Sequence, residues 1–214
     1  MKKIYILILI TCTILSCTKK PGTLTGNVYW KYNNYVGNKP DSGAEITLYA
    51  INKSQRDSIF KATADVNGNY TINDIPPAKY LLVIRSKNTT DSPLDHIQNL
   101  KICSNDLKNT FDFDINNFSK NLEEIDAAYK KYETILIDSD IEKYGGLSNK
   151  INEYEKYQKI AIDKSSDLID KFPTKVKLKL GLFTGYSKSL YIQNIEIKEE
   201  KTVNKNTDFG TTYM

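Results

Sequence analysis

The stretch DVNGNYTINDIPPAKYLLVIR, from Asp65 to Arg85, decides the fold because it holds a turn, a break and a buried strand. Asn67-Gly68 is the dipeptide that tight β-hairpins prefer, and apolar residues alternate on both sides of it. Pro76-Pro77 then interrupts the β-structure. Leu81-Leu82-Val83-Ile84 is a continuous apolar run, typical of a strand covered on both faces. The stretch therefore predicts antiparallel β-structure around one fully buried strand.

The sequence on either side continues this pattern. Leu24 to Trp30 alternates between apolar and polar residues, which predicts a strand with one buried face. Similar runs predict further strands over Ala44–Ala50, Phe60–Ala64, Ile97–Cys103 and Thr110–Asp114. Seven short strands separated by turns are typical of an immunoglobulin-like antiparallel sandwich.

Two consecutive motifs resemble a known signature. Gly68-Asn69-Tyr70-Thr71-Ile72, followed by Asp74 to Val83, is similar to the pattern of carboxypeptidase regulatory-like domains and collagen-adhesin type B repeats. In both, a glycine hairpin, an aromatic-led strand, a proline turn and a Tyr-x-Leu strand follow in that order. The resemblance covers residues 23–114 and implies a transthyretin-like, carbohydrate-binding-like sandwich. Such domains are mostly non-catalytic spacers, assembly modules or ligand platforms.

The N-terminus has the pattern of a secretion signal: Met1-Lys2-Lys3, then an apolar run from Ile4 to Leu15. That run is too short to span a bilayer stably. Ile14-Leu15-Ser16-Cys17 resembles the bacterial lipobox, which implies removal of residues 1–16, acylation of Cys17 and a tether over residues 17–22. Thr18, rather than aspartate, follows Cys17, and by the same resemblance this favours the outer over the inner membrane.

Charge and cysteine content exclude several classes of function. Without residues 1–16, 28 basic and 26 acidic residues remain, so no strong field attracts nucleic acid. Cys103 has no cysteine partner, which leaves a reactive surface thiol or, as favoured here, a small packing residue at the end of a strand. The single histidine, His96, is predicted to lie solvated in a polar loop. It has no histidine or cysteine nearby, so neither a metal site nor a cofactor is expected.

From Phe118 the apolar residues recur at helical spacing. Two arms of almost equal length, near 118–144 and 147–172, flank Gly145-Gly146 and predict an antiparallel helical hairpin within residues 115–173. Residues 133–138 are open to a strand assignment as well. The apolar stripe either packs on the hairpin and the sheet, which is favoured, or forms a partner-binding surface that includes Tyr129, Tyr132, Tyr154 and Tyr157.

Residues 174–214 return to alternation and are predicted to form strands, the first of them from Val176 to Leu182. Ile192–Ile197 nearly duplicates Ile97–Ile102, which indicates a second copy of the latter half of the sandwich. Half a sandwich cannot bury its own apolar face. The segment therefore adds strands to the first sheet, packs under the helices or completes itself on another chain, the first two being favoured.

The predicted fold is mainly β with α: an antiparallel sandwich, a long helical hairpin and C-terminal strands. The sequence has no nucleophile elbow, phosphate-binding loop or zinc-protease motif, and Asp65–Asn69 starts a calcium-like loop whose twelfth position is Pro76. We therefore expect a non-enzymatic, membrane-anchored scaffold or interaction module with a protein partner in the cell envelope. The alternative is a carbohydrate-binding accessory lipoprotein that stacks Trp30, Tyr32 and Tyr35 on sugar rings, although alternation points Trp30 inward. A hydrolase ranks third.

Overall fold

The computed structural model of the protein describes residues 19–33, 35–51 and 58–211. The strands of this part are β1 (Gly22–Asn33), β2 (Gly37–Pro40), β3 (Glu45–Ala50), β4 (Ile59–Thr63), β5 (Asn69–Ile75), β6 (Ala78–Asp91), β7 (Ser187–Ile197), β8 (Thr202–Asn204) and β9 (Thr207–Thr211). Its α-helices are α1 (Pro93–Ile102), α2 (Ser104–Phe111), α3 (Ser119–Ile137), α4 (Leu147–Asp170) and α5 (Thr174–Leu180). Short 3-10 helices cover Ile115–Phe118 and Glu142–Tyr144.

β1 is the central strand of the first sheet. One edge of β1 pairs antiparallel with β5 and then with β2. The other edge pairs with β8 and then β9, and both of these pairings are parallel. The second sheet has the antiparallel order β4-β3-β6-β7.

The second sheet is the middle of three layers. Alternate residues of β6 face opposite sides: Tyr80, Leu82 and Ile84 pack against the first sheet, whereas Leu81 and Val83 pack against the helices. This arrangement explains the continuous apolar run in β6, because both faces of the strand are buried. The predicted sandwich, helical hairpin and C-terminal strands are confirmed, within a mixed α/β content of 41% helix and 35% strand.

Helices α3 and α4 form the predicted antiparallel hairpin. Lys164 Nζ lies 2.6 Å from Glu124 Oε2, and the rings of Tyr132 and Tyr154 meet edge to face at 5.6 Å. These pairs show that the two helices run in opposite directions side by side. Residues 133–137 are helical, and the chain leaves the helix at Asp138.

The strands predicted over Ile97–Cys103 and Thr110–Asp114 are wrong, since both segments lie in or beside helices α1 and α2. A capping box starts α1: the Asp95 N–H donates to Ser92 Oγ at 3.3 Å, and the Ser92 N–H donates to Asp95 Oδ2 at 3.0 Å. Pro93 occupies the first helical position, which suits its fixed φ. The buried residues Leu94, Ile97 and Leu100 then share one helical face.

The strand predicted from Val176 to Leu182 is also wrong, because residues 174–180 form α5. Val176 and Leu180, four residues apart, are buried, while Leu178 is 67% exposed. Ile192–Ile197 belongs to β7, whereas its sequence echo lies in α1, so the C-terminal segment is not a structural copy of the earlier one. It instead contributes β7 to the second sheet and β8 and β9 to the first. The sandwich expected over residues 23–114 thus takes its strands from 22–91 and 187–211.

Candidate functional site

The sandwich has two ends, which are defined here by the residue pairs at the ends of its strands. At the end called proximal here, Gly22 pairs with Ile75, and Ala78 pairs with Ile197. At the opposite, distal end Asp91 pairs with Ser187. The two ends are about 33 Å apart, because β7 runs between them with 11 residues at about 3.3 Å each, whereas β6 bulges between Arg85 and Thr90.

The described chain begins at the proximal end. Lys20 Nζ lies 2.5 Å from Glu200 Oε1, and the Glu200 N–H donates to the Pro21 carbonyl at 3.3 Å. Cys17 and the predicted signal, residues 1–16, lie outside the described residues. Within the described ranges, no helix has the length and apolar character needed to cross a membrane.

The helical hairpin extends beyond the distal end of the sandwich. Tyr132 of α3 and Gln158 of α4 line a cleft together with Asp91 and Asp95, so they lie level with the end of β6. α4 begins eleven residues before Gln158. At 1.5 Å per residue, the tip of the hairpin therefore reaches about 16 Å past this level.

Five exposed apolar side chains lie within residues 136–151 at the tip, and we call them the distal patch. Leu136 is 59% exposed, Ile137 81%, Ile141 39%, Leu147 57% and Ile151 46%. Only Ile135, at 1% exposure, is buried between the helix ends here. Single exposed apolar residues are common on protein surfaces, but five of them at the tip of one hairpin suggest an interaction surface.

Asp138 organises the loop at the tip. Its carboxylate accepts hydrogen bonds from Lys143 Nζ at 2.7 Å, the Asp140 N–H at 3.0 Å and the Tyr144 hydroxyl at 3.0 Å. Bonding to Lys143, supported by the other two donors, lowers the pKa of Asp138 to about 2. Lys150 donates to the Asp138 carbonyl and links the loop to α4. The distal patch is therefore held in a defined shape by a network of hydrogen bonds.

At the base of the uncovered part of the hairpin, about 6 to 10 Å from the distal patch along the helices, lies a cleft of about 440 Å³, called the distal cleft here. Its lining comes from the hairpin, the start of α1, the end of β6 and the C-terminal strands: Thr90, Asp91, Ser92, Leu94, Asp95, Tyr132, Gln158, Ile162, Tyr186 and Phe209. The lining includes two carboxylates and no lysine, arginine or histidine. Asp91 accepts hydrogen bonds from the Ser189 hydroxyl at 2.7 Å and the Leu190 N–H at 3.3 Å, and burial raises its pKa.

His96 lies beneath this region, and its predicted solvated loop position is wrong. The residue is fully buried in α1, and its Nε2 is 2.8 Å from Ser187 Oγ. Among the described residues, Nδ1 has no hydrogen-bond partner. Burial lowers the pKa of His96, and the carboxylates of Asp91 and Asp95 oppose this to a smaller extent. Because Ser187 is itself buried, the pair offers no accessible nucleophile.

The three aromatic residues predicted as a ligand surface differ in exposure. Trp30 is 8% exposed, Tyr32 36% and Tyr35 100%. Trp30 meets Tyr32 edge to face at 5.7 Å, and Lys39 Nζ lies 4.2 Å from the Tyr32 ring centre. The buried Trp30 therefore offers no ring face to a sugar. Phe209 flanks β1 near Trp30 and also lines the distal cleft, so this group lies at the distal end as well.

The four tyrosines predicted as a partner surface lie partly buried along the hairpin. Tyr132 contacts Tyr129 at 5.2 Å and Tyr154 at 5.6 Å, while the ammonium groups of Lys131 and Lys156 lie over Tyr157. These contacts stabilise the hairpin itself, and only Tyr132 also lines the cleft. The sequence interpretation missed the distal patch, although Leu136, Leu147 and Ile151 already belonged to the apolar stripe. These residues flank Gly145-Gly146, where the predicted hairpin turns and where no further layer of structure covers its apolar face. This position was the feature of the sequence that could have indicated the patch.

Cys103 is 6% exposed and lies between α1 and α2 rather than at the end of a strand. Its Sγ contacts the Ile192 carbonyl at 3.5 Å, and burial raises the pKa of the thiol. In the part of the chain that the structure covers, no group of three or more histidine, cysteine, aspartate or glutamate side chains is placed to hold a metal ion.

Comparison with known proteins adds little. No family model matches the chain, and no curated protein matches it. One solved structure, described as a "putative carbohydrate binding protein" from Pseudomonas aeruginosa, is similar over 37% of this chain and 72% of its own, with 14% identity and a TM-score of 0.26. A likeness at this TM-score carries no conclusion about the fold or function of this chain.

Proposed function

We propose that this protein is a non-catalytic lipoprotein of the cell envelope that holds an interaction surface away from the membrane. Cys17 is the lipid attachment site, residues 1–16 are the signal peptide, and the outer membrane is the expected location. The carboxypeptidase regulatory-like sandwich serves as the scaffold. The distal patch on the helical hairpin contacts a protein partner in the envelope.

The observation that carries this proposal is that Lys20 and Gly22, where the described residues begin, lie at the opposite end of the molecule from the distal patch. A tether over residues 17–22 reaches at most roughly 20 Å. The sandwich then places the patch more than roughly 30 Å from the proximal end, since β7 alone spans about 33 Å. An apolar patch so placed is suited to a protein in the same compartment rather than to the lipids that would hold Cys17.

The lipid anchor is tested by fractionating cells that express the full chain. We expect the wild-type protein in the membrane fraction, with acyl chains on Cys17 in the mass spectrum. Cys17→Ser should lose the acyl mass and leave the membrane fraction. Equal membrane retention of both proteins would contradict the anchor.

The interaction surface is tested by site-specific photo-crosslinking in native membranes. A photoreactive residue at position 147, in the distal patch, should capture one reproducible envelope protein. The matched control is position 102, because Ile102 is 83% exposed and apolar but lies at the end of α1, away from the distal end. Equal capture at both positions, or none at 147, would contradict the assignment of the surface.

A second candidate function, glycan binding, is favoured by the full exposure of the Tyr35 ring. Aromatic rings can stack on the apolar faces of sugars, and the distal loops would then be the binding surface. A glycan array probed with wild type and Tyr35→Ala tests this candidate. A glycan signal that is lost in the variant supports it, whereas an array without signal removes it.

A further inference from the structure

We infer that the distal patch and the distal cleft together form a groove for an amphipathic helix of the protein partner, with a basic end of that helix in the cleft. The inference rests on the proposed function, which places a protein partner at the distal end. It adds the shape and the charge of the segment that binds there.

The shape follows from the way α1 packs in the body of the molecule. α1 covers the α3–α4 hairpin through Leu94, Ile97 and Leu100, which are buried in the helical core. Lys101 Nζ of α1 also contacts both carboxylate oxygens of Asp126 on α3, at 2.6 and 2.7 Å. α1 begins at Pro93, level with Tyr132 and Gln158, so beyond this level it no longer covers the hairpin.

The apolar face of the hairpin continues past the start of α1. Leu136 lies seven residues, or two helical turns, after Tyr129 and therefore on the same face of α3. Ile151 lies two turns before Gln158 on α4, and Leu147 lies one turn further. On α4 the uncovered face is about 16 Å long, close to the 15 Å that the ten residues of α1 cover, and on α3 it is about 8 Å long, because that helix ends five residues after Tyr132. A helix of two to three turns, in line with α1, would cover this face as helix-in-groove complexes do.

The charge expected at the end of the partner helix follows from the cleft at the end of the groove. Asp91 and Asp95 line the cleft, and none of the lining side chains is basic. Burial raises the pKa of Asp91, so a cation beside it would stabilise its charged form. A lysine or arginine at the end of the docked helix is therefore favoured, and an acidic end is repelled.

Two other occupants suit the surface less well. The tip carries Asp138, Asp140 and Glu142 against Lys143 and Lys150, and this small acidic excess disfavours an anionic membrane surface. A second copy that docked its own hairpin would bring these same acidic groups toward the acidic cleft.

The test is a selection from a displayed library of helical peptides on the lipidated full-length protein in detergent. We expect enriched peptides with apolar residues at i, i+3 or i+4, and i+7, and with lysine or arginine at one end. Ile151→Ser should weaken their binding at least tenfold, and the control Ile102→Ser should leave it unchanged. Gln158→Lys, which adds a cation to the cleft, should weaken binding at least threefold, whereas Asn152→Lys on the exposed side of α4 should not.

Four results would overturn the inference. Enriched peptides with acidic ends, or peptides that bind Ile151→Ser as tightly as wild type, would contradict the charge or the groove. Self-association that Ile151→Ser abolishes would assign the patch to a second copy. Binding to phosphatidylglycerol vesicles that the same variant abolishes would assign it to lipid. If crosslinking at position 147 still captures one envelope protein, only the helical, basic partner segment is disproved and the proposed function stands.

Discussion

At the residue scale, His96 and Asp91 carry the ionisable groups that burial perturbs in opposite directions. Burial lowers the pKa of His96 and raises that of Asp91, since each shift favours the neutral form. Both groups lie close to the distal cleft, so the acid–base behaviour of that end differs from that of the exposed surface.

The lowered pKa of His96 predicts a loss of stability in mild acid. Above pH 6.5, its ordinary pKa, the imidazole is neutral in both states and its burial costs no ionisation free energy. Below pH 6.5 the unfolded chain takes up a proton that the folded protein resists, so the free energy of unfolding falls by up to about 1.4 kcal/mol per pH unit. Asp91 acts in the opposite sense, because its raised pKa favours protonation of the folded state.

Urea unfolding of wild type and His96→Gln at pH 7.5 and 5.5 measures this effect. We expect wild type to lose more stability than the variant between the two values. Equal losses in both proteins would show that His96 does not contribute to the pH dependence.

Gly26 predicts a second effect at the residue scale. A Cβ atom at this position would lie 1.9 Å from the Lys205 carbonyl oxygen and 2.7 Å from the Tyr70 hydroxyl, which itself donates to that carbonyl. Gly26→Ala should therefore push the chain before β9 away from β1, at a cost of about 2 kcal/mol. The control is Gly185→Ala, where no atom lies within 4 Å. Chemical denaturation compares the two, and equal stabilities would contradict the close approach.

At the scale of elements, the capping residues at the start of α1 explain why this segment forms a helix rather than a strand. The Ser92 hydroxyl accepts the Asp95 N–H, and the Asp95 carboxylate closes the box. Ser92→Ala should lower the free energy of unfolding by about 1 kcal/mol. Ser104→Ala is the control, because the start of α2 has no side-chain cap. A Ser92 effect no larger than that of Ser104 would show that the cap does not stabilise α1.

The elements also show how far the sequence predicts the fold. The β6 run and the hairpin were predictable, since long periodic segments leave little choice of structure. Ile97–Ile102 and Ile192–Ile197 have almost the same pattern but form a helix and a strand. Short apolar runs allow both, and here the Ser92-Pro93 cap and pairing with β6 decided between them. The strand predicted over Val176–Leu182 was wrong for the same reason, because an alternation of lysine with leucine is also compatible with a short helix.

The candidate site was predictable only in part. Alternation correctly pointed Trp30 inward, and the apolar stripe correctly located the hairpin. The distal cleft was not predictable, because it joins residues from β6, α1, the hairpin and β9 that are up to about 120 positions apart. His96 was misplaced because its burial depends on Ser187, 91 positions away.

At the scale of the whole molecule, β6 joins the two apolar cores. Its alternate residues pack into the sandwich core and the helical core, so neither layer can unfold without exposing one face of β6. We expect a single cooperative unfolding transition. Trp30, the only tryptophan, lies in the sandwich, and the far-ultraviolet circular dichroism signal is dominated by the helices. Midpoints that coincide for the two signals would agree with this expectation, and separate midpoints would contradict it.

β1 pairs with β5 from the first half of the chain and with β8 and β9 from its C-terminal segment, and this affects when the first sheet can form during synthesis. Thr23 pairs with Thr202, so β1, which leaves the ribosome before the other strands described, cannot complete its pairing until β8 has been synthesised. Contacts between such distant residues form slowly. Until residues 202–211 have been synthesised, one edge of β1 has no partner, and an open edge can pair with other chains. Copies that terminate early keep this open edge permanently, and they are the species of this protein expected to aggregate.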